Sequence, residues 1–396
     1  MALSRHELQL MLGALAGFSL GNFAIFSAPI YIGSLIDGLG FNENQAGLTS
    51  TLEIGAVAST CVLLSRWLNR VSLRYLAISG VLLILVSNLV TFWLEDFLTI
   101  TLTRVIAGTG AGLCLAATSA LISRMADPDR IVGMMLAINT LIMIMVLSAM
   151  GYAKSLWMFN GFVGLFTLAT LVLFPLLFLL PTEPFKKIQQ DTSMPAETDP
   201  YLALGILGVG LLFLFCVIEG GVWAFSERSG TNLGMNDGDI GLLLALAQAS
   251  GLGGAILAAI FGARIPRIYP IAVGILTMGT AGLVIYQTES QLIYGVFLCT
   301  FSFGFFIAFP YLVGACARLD ADGRWAARAN GVNLLGAATA PFLAANIVTA
   351  SNYQTLGTMF FGLALFCLCL AVLFNRQMNR VNFDKDSELA GTQTLR

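Results

Sequence analysis

Residues 97–123 read FLTITLTRVIAGTGAGLCLAATSALIS, an apolar stretch that carries one charge, Arg104. At 1.5 Å per residue, a helix of that length crosses the ~30 Å hydrocarbon core of a bilayer. The surrounding chain agrees. Of its 396 residues 57% are apolar and 11% charged, and the mean hydropathy is +0.85. A soluble domain carries about a quarter charged residues, so lipid is the solvent this composition suits.

Working outward, similar runs lie near 8–35, 44–64, 74–93, 131–151 and 156–180 on one side, and near 201–226, 238–263, 269–287, 290–317, 327–350 and 353–375 on the other. They predict an all-α membrane protein of about 12 transmembrane helices in two pseudo-symmetric six-helix bundles, 1–180 and 201–375. Between the bundles, 181–200 is polar with four prolines and reads as a linker. Residues 376–396 form a polar tail. The first run is too long for a signal peptide and lacks a cleavage pattern, so it stays as a membrane helix.

A constant shift of 194 positions aligns the two halves without a gap. It places Asn42 on Asn236, Gly47 on Gly241, Arg70 on Arg264, Tyr75 on Tyr269, Gly110 on Gly304, Arg124 on Arg318 and Asn139 on Asn333. A parallel six-helix repeat implies a pseudo-twofold axis along the membrane normal, with a substrate site near the midplane between halves.

Of the 20 Lys and Arg, all but Lys154, Arg228 and the intramembrane Arg104 fall on one side of this topology. Basic loops stay cytoplasmic, which puts both termini and the linker there. The five tryptophans lie near helix ends, at headgroup level. All seven cysteines sit in apolar runs without metal-ligand spacing and read as packing thiols.

The stretch Arg104-Val105-Ile106-Ala107-Gly108-Thr109-Gly110-Ala111-Gly112 resembles the fourth-helix motif of the major facilitator superfamily, an arginine followed by closely spaced glycines. The resemblance covers essentially the whole chain. The family's loop between helices two and three, G-x-x-x-D-[RK]-x-G-[RK]-[RK], is similar to Cys61–Arg70 in its basic residues Arg66 and Arg70. Ser65 stands in place of the acid and Leu68 in place of a glycine. Gly133 to Gly151 lacks the proline-containing pattern of many drug/proton antiporters of the family. The resemblance implies a secondary transporter, with Arg104 acting in coupling or in the cavity.

Three charges lie inside the apolar runs: Glu53, Arg104 and Glu219. Each costs roughly 2.5–3.5 kcal/mol at a helix centre, so each calls for a partner or a water-filled cavity. Counting from the outer ends gives about seven residues for Arg104, about nine for Glu53 and about seven for Glu219, hence similar heights in the outer half. Glu53 reads either as the ion-pair partner of Arg104 or as a titrating carboxylate, and Glu219 either as a coupling acid or as a surface group. Asn139 and Asn333, equivalent across the repeat, read as interhelical hydrogen-bonding groups or substrate contacts, as do Asn22 and Gln248. Gly13, Gly17 and Gly21, and Gly108 and Gly112, allow close helix approach. Pro29, Pro175, Pro310 and Pro341 mark candidate bends.

No phosphate-binding loop or zinc motif is present, and the single histidine, His6, lies in the amino terminus. The sequence therefore predicts no enzyme, cofactor or metal site, and its small net charge of -2 points away from nucleic acid. It predicts a monomer in the bacterial inner membrane that moves a small organic solute by alternating access. Protons acting through Glu53 or Glu219 would drive it, with symport ahead of antiport. Efflux of amphipathic drugs or lipids by antiport, and a non-transporting membrane sensor on the same scaffold, remain as alternatives.

Overall fold

The computed structural model describes residues 5–64, 67–68, 70–125, 128–182, 202–319 and 324–393. Most of the linker, and Ser65 and Arg66 of the loop after the second pass, lie outside the described residues. The described chain is helical throughout, with apolar helices long enough to make a multi-pass membrane protein.

The first pass is two helices, α1 (Arg5–Phe26) and α2 (Ala28–Leu39), interrupted at Ser27. Pro29, in the first turn of α2, has no N–H to offer the preceding turn, which places the break where the sequence marks a bend. Next come α3 (Glu43–Leu64), α4 (Leu73–Thr91) and α5 (Phe97–Ile122). The following helix, α6 (Pro128–Leu173), has 46 residues, about 70 Å of helix and far more than a bilayer needs. It makes two passes. Helical dihedrals fail at Trp157 and Met158, and a Cβ on Gly161 would collide with the Ala153 carbonyl, so the chain folds back there. A 3-10 turn, Phe174–Leu179, opened by Pro175, closes the half.

The second half contains α7 (Leu202–Asn232), α8 (Asp237–Phe261), α9 (Ile268–Gln287), α10 (Gln291–Ala317), α11 (Arg324–Ala350) and α12 (Tyr353–Gln393). Pro310 and Pro341 lie inside continuous helices. The first residues of α3 and α8, and of α5 and α10, are each 194 positions apart, so the sequence repeat is also a structural one.

The halves meet along α3 with α11 and α6 with α8. A Cβ on Gly47 would lie 2.8 Å from the Pro341 carbonyl oxygen and 2.6 Å from the Ala345 Cβ. One on Gly241 would lie 2.9 Å from the Leu147 carbonyl oxygen and 2.8 Å from the Gly151 Cα. Subtracting 194 from 341 and 345 gives 147 and 151, so the two crossings are the same contact repeated about the pseudo-twofold axis.

Both crossings lie at the end of the bundle away from the termini, called here the distal end. A single apolar core there includes Tyr31, Leu35 and Phe159 of the first half and Trp223, Ile240 and Leu356 of the second. At the terminal end, the first half has its own core around Leu15, Leu73, Leu121 and Leu177, with no residue from the second half. A cavity of about 520 Å³ separates Gly133, Leu136 and Ala137 of α6 from Ala255 and Ala259 of α8. The halves are thus closed together distally and parted at the terminal end.

Candidate functional site

Five charged residues form the distal seal, and each is placed there by a helix end. Asp37 is in the last turn of α2, before Gly40 turns left-handed at φ 69 to cap it. Lys154 precedes the reversal in α6 by one turn. Glu227 and Arg228 belong to the last turns of α7. Asp237 opens α8, where Asn236 accepts a hydrogen bond from the Asp239 N–H at 2.8 Å.

The Lys154 ammonium, 1% exposed, donates to all three carboxylates: Asp37 at 2.7 Å, Glu227 at 2.6 Å and Asp237 at 2.8 Å. Its three N–H groups are thereby used. Arg228 donates from Nη1 to Asp37 at 2.8 Å and from Nε to Glu227 at 2.6 Å. Asp37 and Lys154 belong to the first half, the other three to the second, so the bonds cross the interface. Gly33 of α2 makes room, since a Cβ there would run into the Glu227 carboxylate. Nearby, the Trp223 Nε1 donates to the Phe26 carbonyl at 3.1 Å, again across the halves. The three carboxylates converge closely enough to suit a metal ion, but the Lys154 ammonium already stands among them.

The sequence places Lys154 and Arg228 on the outer side yet gives no hint that they are buried. It also takes Glu53 and Glu219 as the only acids within helices. The structure corrects this, because α7 runs on to Asn232 and carries Glu227 inside the helix. For the same reason Glu219 is 13 residues from the distal end of its helix instead of about seven, near its middle.

A second polar site is enclosed in the first half. Arg104 of α5, 0% exposed, donates from Nη2 to Asn88 Oδ1 at 2.8 Å, Thr91 Oγ1 at 3.0 Å and Ser87 Oγ at 3.3 Å, all on α4. The Ser87 hydroxyl in turn donates to the Thr103 carbonyl. The Arg104 Nε and Nη1, the Asn88 amide nitrogen and the Tyr31 and Ser50 hydroxyls are buried without partners among the described residues. Unmatched buried donors on this scale mark a place where water or another group is needed.

Glu53 of α3 is 3% exposed. No ion pair within 4.0 Å joins it to Arg104 in this conformation. Gly108 lets α3 come close, its missing Cβ making room for the Glu53 carbonyl, and Gly112 does the same for Val57. Gly17 and Gly21 likewise seat α1 on α5. These small-residue motifs therefore pack helices.

Ile54 and Gly220 both touch the Ala337–Ala340 stretch of α11, so their neighbours Glu53 and Glu219 stand at about the same level. Glu219 is half-buried and lies one turn of α7 beyond Cys216, whose thiol donates to Asn333 at 3.2 Å. Glu219 and Asn333 thus both lie along the packing of α7 on α11, about a turn apart. Asn139 is buried with its Oδ1 unpartnered, the Asn22 amide donates to its own helix at Phe18, and Gln248 is buried on α8. Tyr31 and Asn88 escape sequence analysis, because a tyrosine or asparagine in an apolar run does not show which helix it faces.

The sequence matches the Major Facilitator Superfamily profile over residues 10–333, and the chain belongs to that family. No curated protein matches its sequence closely. The fold is similar to that of a bacterial homologue of the human lysosomal transporter Spinster, in its inward-facing occupied conformation. The TM-score is 0.74 at 14% identity, covering 96% of this chain and 98% of that one. It is also similar to a D-xylose–proton symporter, with a TM-score of 0.70 at 15% identity, covering 91% and 97%. The nucleoside transporter NupG gives 0.68 at 14%, covering 94% and 98%.

Proposed function

We propose that this chain is a monomeric secondary active transporter of the bacterial inner membrane, with cytoplasmic termini, which carries a small organic solute by alternating access and couples it to protons. The observation that carries this reading is the distal seal. The halves are held at one end by an ion-pair cluster and two symmetry-related glycine crossings, and are parted at the other. Two rigid halves with one sealed end form a rocker whose seal must open for the cycle to complete.

With the termini cytoplasmic, as the distribution of Lys and Arg favours, the parted end faces inward. Glu53 and Glu219 are the proposed proton carriers. Each is an acid within a membrane helix and, among the described residues, makes no hydrogen bond or ion pair, unlike Glu227, which the seal engages. Transport of D-xylose with protons and of nucleosides by proteins of the same fold supports a small polar solute. Arg104, Asn139, Asn333, Asn22 and Gln248 are the proposed substrate or coupling contacts.

The test uses proteoliposomes carrying an imposed proton gradient, after thermal-shift screening of the purified protein has identified a solute that stabilises it. Accumulation driven by inward proton flow supports symport. Accumulation driven by outward proton flow would assign antiport instead. Glu53→Gln or Glu219→Gln should abolish gradient-driven accumulation while sparing solute exchange. If both single variants and the double variant still accumulate solute, coupling through these carboxylates is wrong. A scaffold that binds no solute and moves none would be a sensor.

A further inference from the structure

The second half contains a crevice at its terminal end, apart from the distal seal. It has a volume of about 640 Å³ and lies between α9, α10 and α12, with Arg264, Arg267 and Arg318 around its mouth and Asn375 and Asn379 on the facing side of α12. Among the described residues no acidic side chain lines it. Arg267 donates from Nη1 to the Gly314 carbonyl at 2.7 Å, and Arg264 donates to the Ile260 carbonyl at 3.2 Å. Burial, and then the charge of Arg318 beside it, hold the Arg267 pKa below the usual guanidinium range. Like charges are gathered here, and among the described lining residues none is a counter-charge.

The pseudo-twofold axis shows what such a place requires. In the first half the corresponding region is closed by the chain itself. After the 3-10 turn the backbone leaves helical geometry, and Arg74 donates from Nε to the Leu180 carbonyl at 2.6 Å while its N–H reaches the Pro181 carbonyl. In the second half α12 continues as a helix to Gln393. Its carbonyls stay within the helix, and among the described residues the backbone partners of the arginines are single carbonyls, Gly314 for Arg267 and Ile260 for Arg264. Guanidinium forks with two asparagine amides nearby suit a tetrahedral oxyanion, which takes several charge-assisted hydrogen bonds at once.

We infer that this crevice binds a phosphate-bearing anion, and its position at the helix ends, level with the lipid headgroups, favours an anionic phospholipid as the source. The inference is independent of the transported solute and of Glu53 and Glu219.

The experiment is native mass spectrometry of the full-length protein in detergent, titrated with dioleoylphosphatidylglycerol or dioleoylphosphatidylcholine. Phosphatidylglycerol should bind tightly, and Arg264→Gln with Arg318→Gln should weaken it by about tenfold. Arg267 is left in place because it also ties to Gly314. The symmetry-related pair Arg70→Gln with Arg124→Gln removes the same charge from the first half and should leave binding unchanged.

Asn375→Asp, which adds a negative charge to the crevice without removing an arginine, should weaken binding similarly and covers the case where the double variant folds poorly. Displacement by millimolar inorganic phosphate would identify a soluble anion as the source, whereas persistence would identify the lipid headgroup. Equal losses in both arginine pairs, or phosphatidylcholine binding as tightly, would overturn the inference. It would also be overturned if Asp320→Asn with Asp322→Asn strongly tightened binding, because those carboxylates would then be the anions the arginines serve.

Discussion

Lys154 is the residue on which the distal seal turns, because its ammonium is the one group bonded to all three carboxylates. Lys154→Gln keeps the length of the side chain but leaves Asp37, Glu227 and Asp237 facing one another with Arg228 as the remaining cation. Breaking one partner of a buried charged set costs about 3–5 kcal/mol, and here that cost falls on the sealed state alone. The variant should unfold at a lower temperature than the parent protein at pH 7.5. An unchanged midpoint would show that the cluster contributes nothing to closure. Arg104 and Glu53 allow a second test at this scale. They form no ion pair in the sealed conformation, so the non-additivity of their thermal effects there should be smaller than a direct buried pair gives. If they pair in another conformation of the cycle, the non-additivity should appear in transport rates. Additivity in both measurements would mean the two residues act separately. Which charges are paired was not legible from the sequence, since Lys154 lies 117 residues from Asp37 and 73 from Glu227.

At the scale of elements, the apolar runs find every pass, but some helices outrun them, α7 to Asn232 and α12 to Gln393. A hydropathy window ends α7 at the first charges, but Glu227 is paired with Arg228 and Lys154, and Arg228 with Asp37, so the helix continues to Asn232. Likewise the window merges α1 and α2, because one serine and one proline hardly lower the mean. The glycines were legible as packing positions, though their partners were not. The crossing of α6 and α8 is the sharpest case, with Gly151 and Gly241 in backbone contact. Gly241→Val should prevent this approach, at a cost of about 1–3 kcal/mol from overpacking. Gly55, also within a helix, has nothing within 4 Å of the Cβ position. Gly55→Ala should therefore be neutral or stabilising by up to about 1 kcal/mol. Thermal unfolding of the two variants side by side checks the contrast, and equal destabilisation would mean that the close crossing is not what glycine serves at position 241.

For the whole molecule, the 194-residue shift was the most informative sequence feature, because it fixed the number of halves and their symmetry, and the structure repeats it down to single contacts. It could not show which end is closed. That depends on Lys154, Arg228 and their carboxylates, whose first-half members have no charged counterparts in the repeat: Asp37 maps to Thr231 and Lys154 to Val348. The seal is thus an asymmetric device on a symmetric frame, and opening it should move both ends together. Cysteines placed singly in a background lacking the seven native ones report this. Leu147 and Ala345 are fully buried at the two distal crossings, whereas Leu136 and Ala259 line the cavity at the parted end. Leu147→Cys and Ala345→Cys should resist a membrane-impermeant thiol reagent applied from the distal side, while Leu136→Cys and Ala259→Cys should react from the terminal side. Adding Lys154→Gln should expose the first pair and protect the second, each by roughly the same factor, since a rigid rocker has one equilibrium between its two states. Exposure at the distal end without protection at the terminal end would mean that the seal can loosen locally. The halves would then open by bending individual helices, with the break at Ser27 between α1 and α2 as the place to look first.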